Sequence, residues 1–218
     1  MDDLVMLMVA GTDTSSHTIA SLLYFLKKYP KTEEKLIAEM EKVGLVYGTE
    51  TSGITMEKVQ EVDYLNYVVK EAMRIDTPTV DTFGYEAYDN VKICNVSIPK
   101  GTLIRLDISS THFNSNEWHS PTQFIPERFD PESDYFFKPN KNNEGKKEPR
   151  SANTWLTFST GLRGCPGQSL AMLEVKIIVT YILLNFEYEV EPELLENDNV
   201  GFGLGSHFKL NLKVNKRM

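Results

Sequence analysis

The feature that most constrains this chain is the stretch FSTGLRGCPG at residues 158–167. Three glycines around Cys165 permit tight backbone bends that other residues resist. Pro166 suits the first position of a helix, and a long apolar run follows it. The pattern therefore predicts a cysteine at the N-terminus of a helix, where the helix dipole and the free backbone N–H groups favour the thiolate over the thiol.

A thiolate in such a loop is a metal ligand or a nucleophile, although an isolated cysteine is also often an inert buried thiol. A nucleophile needs a nearby base, and the four histidines, at 17, 112, 119 and 207, stand in no supporting motif. Zinc needs three or four protein ligands. Haem needs only one from this side, because the porphyrin supplies four nitrogens. A single thiolate on a shaped loop therefore fits haem best.

Composition excludes several classes of protein. The 218 residues carry a formal net charge of −8, which argues against general binding of nucleic acid because that needs a basic surface. The two cysteines, Cys94 and Cys165, cannot form a disulfide framework or a multi-cysteine zinc site. The start is acidic, and no apolar run approaches the ~20 residues that cross a bilayer. We therefore expect no signal peptide and no membrane anchor within this chain.

Hydrophobic periodicity predicts a mainly α fold with small β-sheets, an α+β class. Helices are expected at residues 4–28, 32–43, from 55, 63–75 and after 167, with Thr32 as an N-cap and Gly44 as a stop signal. In the last helix one apolar stripe is expected, formed by Leu170, Leu173, Ile177, Tyr181 and Leu184.

Alternation and turn residues predict short strands within 82–108 and two strands at 186–190 and 208–214. Residues 109–135, which contain three prolines, are expected to form an ordered irregular coil. The polar stretch 136–154 is expected to be a solvated surface loop.

The residues around Cys165 resemble the haem-binding signature of the cytochrome P450 family. The matching positions are Phe158, Gly161, Arg163, Cys165 and Gly167. The resemblance implies that haem (heme, iron protoporphyrin) is the cofactor and that Cys165 is the proximal iron ligand. It also implies that Arg163 pairs with a haem propionate, that Phe158 packs near the porphyrin and the sulfur, and that the glycines let backbone N–H groups approach the sulfur.

A second resemblance lies in Glu71, Arg74 and Arg128. Glu71 and Arg74 are spaced i, i+3 on a predicted helix, which by itself is typical of a surface ion pair. With Arg128 of the segment PERF they resemble the family's Glu–Arg–Arg network. The resemblance implies that all three are buried and fix the coil that supports the cysteine loop, which is a structural role. His112 and Trp118 also fall where the family often has such residues.

Residues 10–16, AGTDTSS, place a glycine, a carboxylate and four hydroxyls inside an otherwise apolar helix. Alone, they indicate a hydroxyl-rich face toward polar neighbours. In this order they resemble the family's oxygen-binding helix motif. The resemblance implies that Gly11 lets the helix pass close to the haem, that Thr14 bonds an upstream carbonyl and opens a local bulge, and that Asp13 relays protons.

Taken together, the resemblance implies a haem-thiolate monooxygenase that inserts one oxygen atom of O2 into an apolar organic substrate. Its electrons come from a redox partner, an NADPH reductase or an iron–sulfur protein. The alternatives are a haem-binding fragment or remnant without turnover, or a haem-thiolate isomerase or dehydratase. The latter enzymes need no oxygen-activating threonine, whereas Thr14 is present. Full-length relatives are often bound to the endoplasmic-reticulum membrane and are otherwise cytoplasmic.

The resemblance covers residues 1–218 as a single partial domain, the C-terminal half of the family fold. We therefore expect a fragment that lacks the N-terminal half. Tyr85 stands where the family often has an arginine that contacts a haem propionate. Residues 79–83 and 200–205 are expected to line the pocket. Lysines 138, 141, 146 and 147, with Arg150, form either a docking face for an acidic redox partner or a solvated loop.

Overall fold

The computed structural model describes residues 2–139, 146–196 and 210–217. The helices in these ranges are α1 (Asp2–Lys28), α2 (Pro30–Lys42), α3 (Met56–Gln60), α4 (Asp63–Ile75), α5 (Ile108–His112), α6 (Gln168–Asn185) and α7 (Pro192–Glu196). The strands are β1 (Tyr85–Glu86), β2 (Val91–Ile93), β3 (Val96–Ile98), β4 (Leu103–Ile104), β5 (Phe186–Val190) and β6 (Leu212–Lys216). The predicted class, mainly helical with small sheets, is confirmed.

The strands form antiparallel two-stranded sheets, with β1 beside β4, β2 beside β3 and β5 beside β6. In the β2–β3 hairpin Cys94 and Asn95 have φ values of 46° and 67°, as a two-residue hairpin turn with both central residues left-handed requires. In the longest pair Phe186 lies opposite Lys216. The strand predicted at 208–214 begins instead at Leu212, and its predicted first residues lie outside the described ranges.

The core lies where α1, α4 and α6 meet. The second half of α1 is buried, with Leu22 and Leu26 both fully inaccessible to solvent. The apolar face predicted for α4 is buried along its whole length; its members are Leu65, Val68, Val69, Ala72 and Met73. This packing fixes the positions of the exposed first half of α1 and of the loop that precedes α6.

The bounds of the second helix correct the predicted start and confirm the predicted stop signal. The helix begins at Pro30 rather than after Thr32, because proline is well tolerated in the first turn, where its missing N–H would have no partner. It ends at Lys42, and Gly44 stops it: Gly44 has φ +74° and its N–H donates to the Glu41 carbonyl, while the N–H of Leu45 donates to the Met40 carbonyl. These bonds form a Schellman motif.

The stripe predicted on α6 is wrong in part. Leu170 is 70% exposed, and the most buried residues are Val175, Val179, Thr180, Leu183 and Leu184. This helix is apolar around most of its circumference, so periodicity cannot identify which side faces the core. Only contact with α1 and α4 selects that side.

The coil predicted at 109–135 contains local helical turns that its sequence pattern does not indicate. Asp107 caps α5, because its side chain accepts the Ser110 N–H at 2.9 Å. Short 3-10 turns follow at Pro126–Phe129 and Asp134–Phe136. Between these turns the backbone is irregular, and its carbonyls need partners other than a helix or sheet.

Within the described part of the chain one helix, α6, is long and apolar enough to cross a membrane by length and composition. In the structure α6 packs against α1, α3 and α4.

Candidate functional site

The cysteine loop, defined here as residues 156–167, is closed by its own backbone. The N–H of Ser159 donates to the Leu156 carbonyl at 2.8 Å, and the N–H of Cys165 donates to the Phe158 carbonyl at 2.8 Å. Between these bonds Gly161–Arg163 form a 3-10 turn. The loop therefore holds Cys165 at a defined position, and its free thiol is exposed.

The sulfur lies close to the N-terminal end of α6. The helix begins at Gln168 with Gly167 as its N-cap, so Cys165 precedes the cap by two residues and Pro166 lies outside the helix rather than at its first position. No acidic residue occupies the first turn. The unpaired N–H groups and the positive end of the helix dipole therefore favour an anion here.

Two glycines of the cysteine loop are required by its own backbone. Gly161 has φ +70°, and a Cβ on Gly164 would approach the Gly161 carbonyl oxygen to 3.2 Å. The backbone does not require glycine at two other positions, Gly167 and Gly11. A Cβ on Gly167 would meet Cys165 Sγ at an ordinary 3.8 Å, and a Cβ on Gly11 would meet nothing within 4 Å.

A porphyrin can fit here only if there is free space beside the cysteine loop and α1, and Gly167 and Gly11 provide such space. Their missing side chains leave open space beside the sulfur and on the surface of α1. One exposed thiol with free space beside it is the donor set that a thiolate-ligated haem needs. The described residues contain no group of three or more His, Cys, Asp or Glu side chains that could hold a metal ion. The donor chemistry found there therefore fits haem and not a zinc-type site.

The AGTDTSS stretch lies in the first half of α1. The hydroxyl of Thr14 donates to the Ala10 carbonyl at 2.7 Å, which is the bond expected from the sequence. The expected local bulge is absent, since α1 runs unbroken from Asp2 to Lys28 and the hydroxyl bond adds to the helix without opening it. Asp13 and Gly11 are exposed.

A contact between α1 and α6 brings this stretch toward the cysteine loop. The buried Ser15 donates its hydroxyl to Glu174 Oε2 at 3.4 Å. Glu174 is six residues from the start of α6, roughly 9 Å at 1.5 Å per residue. Tyr188, just after the end of α6, donates its hydroxyl to the Leu23 carbonyl at 3.1 Å, so α1 runs in the same sense as α6. Gly11, Asp13 and Thr14 therefore lie toward the same end of α6 as Cys165, although they are far from it in the chain.

The structure joins Glu71, Arg74 and Arg128 in one network. Arg74 Nε donates to Glu71 Oε2 at 2.8 Å and Arg128 Nε donates to Glu71 Oε1 at 3.0 Å, with all three side chains fully buried. Burial lowers the pKa of Arg128, the Glu71 carboxylate opposes that shift, and the charge of Arg74 adds to it. The Glu71 carboxylate thus pairs its one negative charge with the positive charges of two guanidinium groups.

The network also supplies donors to the irregular coil. Arg74 Nη1 donates to the carbonyls of His112 at 2.9 Å and Pro121 at 2.7 Å. Arg128 Nη2 donates to the Ser120 carbonyl at 2.8 Å. Because a coil lacks ladder hydrogen bonds, these contacts satisfy buried carbonyls that would otherwise have no partner.

Arg150 extends this network, which the sequence did not indicate. Its guanidinium lies 4.3 Å from the centroid of the buried Trp118 ring, and that of Arg74 lies 5.2 Å from the same ring. Arg150 also donates to the Arg128 carbonyl at 2.7 Å and to the Tyr135 carbonyl at 3.0 Å. Burial, and then the charge of Arg128, lower the pKa of Arg150 to about 10. These contacts hold Arg150 against the coil, and its part in a docking face stays a prediction.

The lysines predicted for that face are paired where they are described. Lys138 Nζ lies 3.2 Å from Glu117 Oε1, and Lys147 Nζ lies 2.7 Å from Asp134 Oδ1. Lys141 lies outside the described residues. Residues 146–150 are therefore linked to the coil by the ion pair of Lys147 and by the hydrogen bonds of Arg150.

We expect Arg150→Met to lower the free energy of unfolding by about 2 kcal/mol. The substitution removes a guanidinium stacked on a buried ring and leaves two carbonyls without their donor. Lys147→Met is the matched control, with an expected change within ~0.5 kcal/mol because its ion pair is exposed. Urea unfolding of both variants measures the difference, and equal effects would contradict the assignment of Arg150 to the network.

A row of aromatic rings connects the network to the cysteine loop. Ring centroids are 5.9 Å apart for Trp118 and Phe129, 6.0 Å for Phe129 and Trp155, and 5.8 Å for Trp155 and Phe158. Trp155 is anchored to α4, since its Nε1 donates to the Lys70 carbonyl at 3.2 Å. The half-buried Phe158 of the signature is thus the end of a continuous packed row.

Several large apolar side chains near these elements face solvent. Residues 4–9 of α1 are each at least 52% exposed, and Leu162 of the cysteine loop is fully exposed. In the segment 79–83, Phe83 is 94% exposed and Val80 is 49% exposed. Tyr85 lies on β1 opposite Ile104 and is also exposed. The predicted second wall, 200–205, lies outside the described residues. Apolar surface of this extent is typical of a surface that another part of a protein, a partner or a ligand covers.

The structure places one exposed thiol just before the start of a core helix, beside the open space at Gly167. The cytochrome P450 family profile matches residues 2–208. This chain belongs to the cytochrome P450 family, whose members are haem-thiolate proteins with iron protoporphyrin.

Individual relatives agree with this family membership. The human ultra-long-chain fatty acid omega-hydroxylase is 30% identical over 206 residues, covering 90% of this chain and 36% of that protein. The Arabidopsis thaliana protein cytochrome P450 71B14 is 32% identical over 198 residues, with the same coverage of 90% and 36%. The chain therefore spans about a third of the length of these curated relatives.

A solved structure supports the fold. The retinoic acid-bound cyanobacterial protein CYP120A1 superposes with a TM-score of 0.75 at 23% sequence identity. The match covers 98% of this chain and 45% of that structure. The expected fold, the haem-binding half of the cytochrome P450 architecture, is confirmed by this match.

Proposed function

We propose that this chain is the haem-binding and oxygen-activating part of a cytochrome P450 monooxygenase. In this proposal the enzyme inserts one oxygen atom of O2 into a small apolar organic substrate, and residues 1–218 form a single partial domain. The observation that carries the proposal is the exposed Cys165 thiol at the N-terminal end of α6, toward the same end as Gly11, Asp13 and Thr14. When bound, haem would supply the redox-active iron at which oxygen is activated.

On the proximal side, we assign Cys165 Sγ as the iron ligand. The helix dipole of α6 stabilises the thiolate, and the backbone bond from Cys165 N–H to the Phe158 carbonyl holds the sulfur in place. Arg163 is exposed and is assigned to a haem propionate. Phe158 packs beside the porphyrin, and Gly161 and Gly167 shape the loop and leave its approach open.

On the distal side, Asp13 and Thr14 are assigned to proton delivery. The Thr14 hydroxyl donates its own proton to the Ala10 carbonyl, so its oxygen is left as an acceptor toward solvent. A water molecule that donates to this oxygen would be oriented beside Gly11. The exposed Asp13 carboxylate exchanges protons with solvent and can pass them to that water. In this scheme Thr14 orients and Asp13 supplies the proton.

The exposed apolar residues indicate the substrate class. The resemblance places residues 79–83 in the pocket lining, and Val80 and Phe83 of that segment are exposed apolar side chains. An apolar lining favours an apolar organic molecule.

Electrons would come from a redox partner, an NADPH reductase or an iron–sulfur protein. We place its docking surface at Lys70 and Lys176. The two ammonium groups are close enough to interact, since the pKa of Lys176 is lowered by burial and then by the charge of Lys70. Lys70 Nζ lies 5.8 Å from the Trp155 ring, which contacts Phe158. A cationic pair beside this aromatic contact suits an acidic donor.

The direct test is titration of the purified chain with haem, followed by the absorption spectrum of the reduced, CO-treated complex. Thiolate ligation gives the red-shifted Soret band that is typical of the family. Oxygen consumption with NADPH and a reductase then separates an enzyme from a haem-binding fragment. A folded chain that takes up no haem would refute the proposal.

Gly11→Ala tests the distal assignment. Alanine favours a helix over glycine by roughly 0.5–1 kcal/mol, and nothing within 4 Å opposes its Cβ, so we expect the stability of the apo chain to rise. We expect haem affinity to fall, because the methyl group occupies space that the porphyrin needs. Ala10→Gly, at the adjacent position, is the control for helix propensity alone. Equal haem affinity in wild type and Gly11→Ala would refute the close approach of α1 to the haem at Gly11.

A further inference from the structure

His112 is a buried histidine with both ring nitrogens in use. It is the last residue of α5 and is fully inaccessible to solvent. Its Nδ1 lies 3.1 Å from the Arg74 carbonyl oxygen, and its Nε2 lies 2.9 Å from the Leu156 nitrogen. A carbonyl can only accept and a backbone N–H can only donate, so Nδ1 carries the proton and Nε2 accepts. These partners settle the neutral tautomer.

The surroundings keep the ring neutral. Burial, and then the charge of Arg74, lower its pKa from 6.5 to about 4, while the bond to the Arg74 carbonyl opposes the shift. Arg74 is the charged group that acts on the ring, and its Nη1 donates to the carbonyl of His112 itself. A second ring proton would face the Leu156 N–H, two donors against each other.

The bond from Leu156 reaches the first residue of the cysteine loop. The Leu156 carbonyl accepts the Ser159 N–H, and the Phe158 carbonyl accepts the Cys165 N–H. A second attachment is weaker, since the Thr157 hydroxyl donates to the Met73 carbonyl at 3.4 Å. His112 therefore ties the base of the cysteine loop to α4, next to the buried network.

We propose that His112 is a positioning residue, which sets the place of Cys165 Sγ by accepting the Leu156 N–H at Nε2. The position of the sulfur as a haem ligand rests on the proposed function; the bond between His112 and the loop does not. The residue has no role as a base or a ligand, because it is buried and neither nitrogen is free.

The sign of the pH dependence follows from the lowered pKa. Between pH 6.5 and about 4 the unfolded chain binds a proton at His112 and the native chain does not, so native stability falls as the pH falls through this window. Above pH 6.5 both states are neutral at this residue, and its full contribution is present. His112→Gln should remove this part of the pH profile.

The first experiment needs no haem. In the 218-residue chain labelled with 15N, we expect the His112 imidazole to show a protonated Nδ1 and an unprotonated Nε2 at pH 7, and to keep that form until about pH 4. A protonated Nε2 would overturn the proposal. This measurement on the wild type remains decisive if a variant fails to fold.

The second experiment compares His112→Phe with His112→Gln. Phenylalanine fills the site without hydrogen bonds. Glutamine carries an amide N–H donor and a carbonyl acceptor, so it can keep both hydrogen bonds, to the Arg74 carbonyl and from the Leu156 N–H. We expect hydrogen exchange of the Leu156 amide to be at least tenfold faster in the Phe variant and near wild type in the Gln variant. The amides of Val68 and Val179 report whether the core itself has changed.

With haem bound, we expect the reduced CO complex of His112→Phe to lose part of its red-shifted band, because the sulfur is displaced, and the Gln variant to regain it. Unchanged Leu156 exchange and an unchanged band in His112→Phe would overturn the proposal. If the wild type binds no haem, the proposed function fails, and the exchange result alone decides whether His112 holds the loop.

Discussion

Glu71→Gln is expected to lower the free energy of unfolding by about 3–5 kcal/mol, the loss typical of removing one partner from a buried ion pair. Glutamine keeps an oxygen that can accept, but it removes the carboxylate charge that pairs with both Arg74 and Arg128, which are fully buried. Since a domain of this kind is stable by only about 5–15 kcal/mol, the variant is expected to unfold near physiological temperature.

The control for this substitution is Glu41→Gln on the exposed surface of α2. It changes the same chemical group without burial, and its expected effect is within ~0.5 kcal/mol. Urea unfolding followed by circular dichroism measures both variants. If Glu71→Gln were as mild as Glu41→Gln, the network could not be what holds the coil in place.

Cys165→Ser is expected to abolish the red-shifted band of the reduced CO complex. A serine hydroxyl stays protonated at neutral pH and is a poor ligand for iron, so haem taken up by this variant would lack thiolate ligation. Because Cys165 is exposed, the stability of the chain is expected to change by no more than ~0.5 kcal/mol. A large spectral effect with a small effect on stability separates a ligand from a core residue.

Cys94→Ser is the matched control, since Cys94 is the other free and exposed cysteine. It lies in the β2–β3 turn and takes no part in the proposed site. We expect its CO spectrum to equal that of the wild type. Loss of the band in both variants, or in neither, would refute the assignment of Cys165.

Local patterns predicted much of the secondary structure. The α4 helix has the predicted bounds and the predicted buried face, because its apolar residues lie on one side and polar residues on the other. The face of α6 was wrong because that helix is apolar on most sides. Sequence periodicity identifies a face only where the two sides differ in polarity.

Some residues of the candidate site were also predicted from local sequence patterns, and others were not. A motif identified Cys165, Gly11, Asp13, Thr14 and the Glu71 network, since each depends on a short spacing of particular residue types. The contacts that His112 and Arg150 make were not predicted. Their partners are backbone carbonyls, an N–H and the ring of Trp118, none of which leaves a pattern in the chain.

By itself, the sequence determined which chemistry is present: one cysteine in a glycine-rich turn, a hydroxyl-rich helix and a carboxylate paired with arginines. Those features follow from residue type and spacing over a few positions. Only the tertiary structure decided which of them meet. The contact of Ser15 with Glu174 brings α1 toward the start of α6, and the bond from Leu156 to His112 attaches the cysteine loop to α4. Such contacts join residues distant in the chain, and they form only when burial of the shared core brings the helices together.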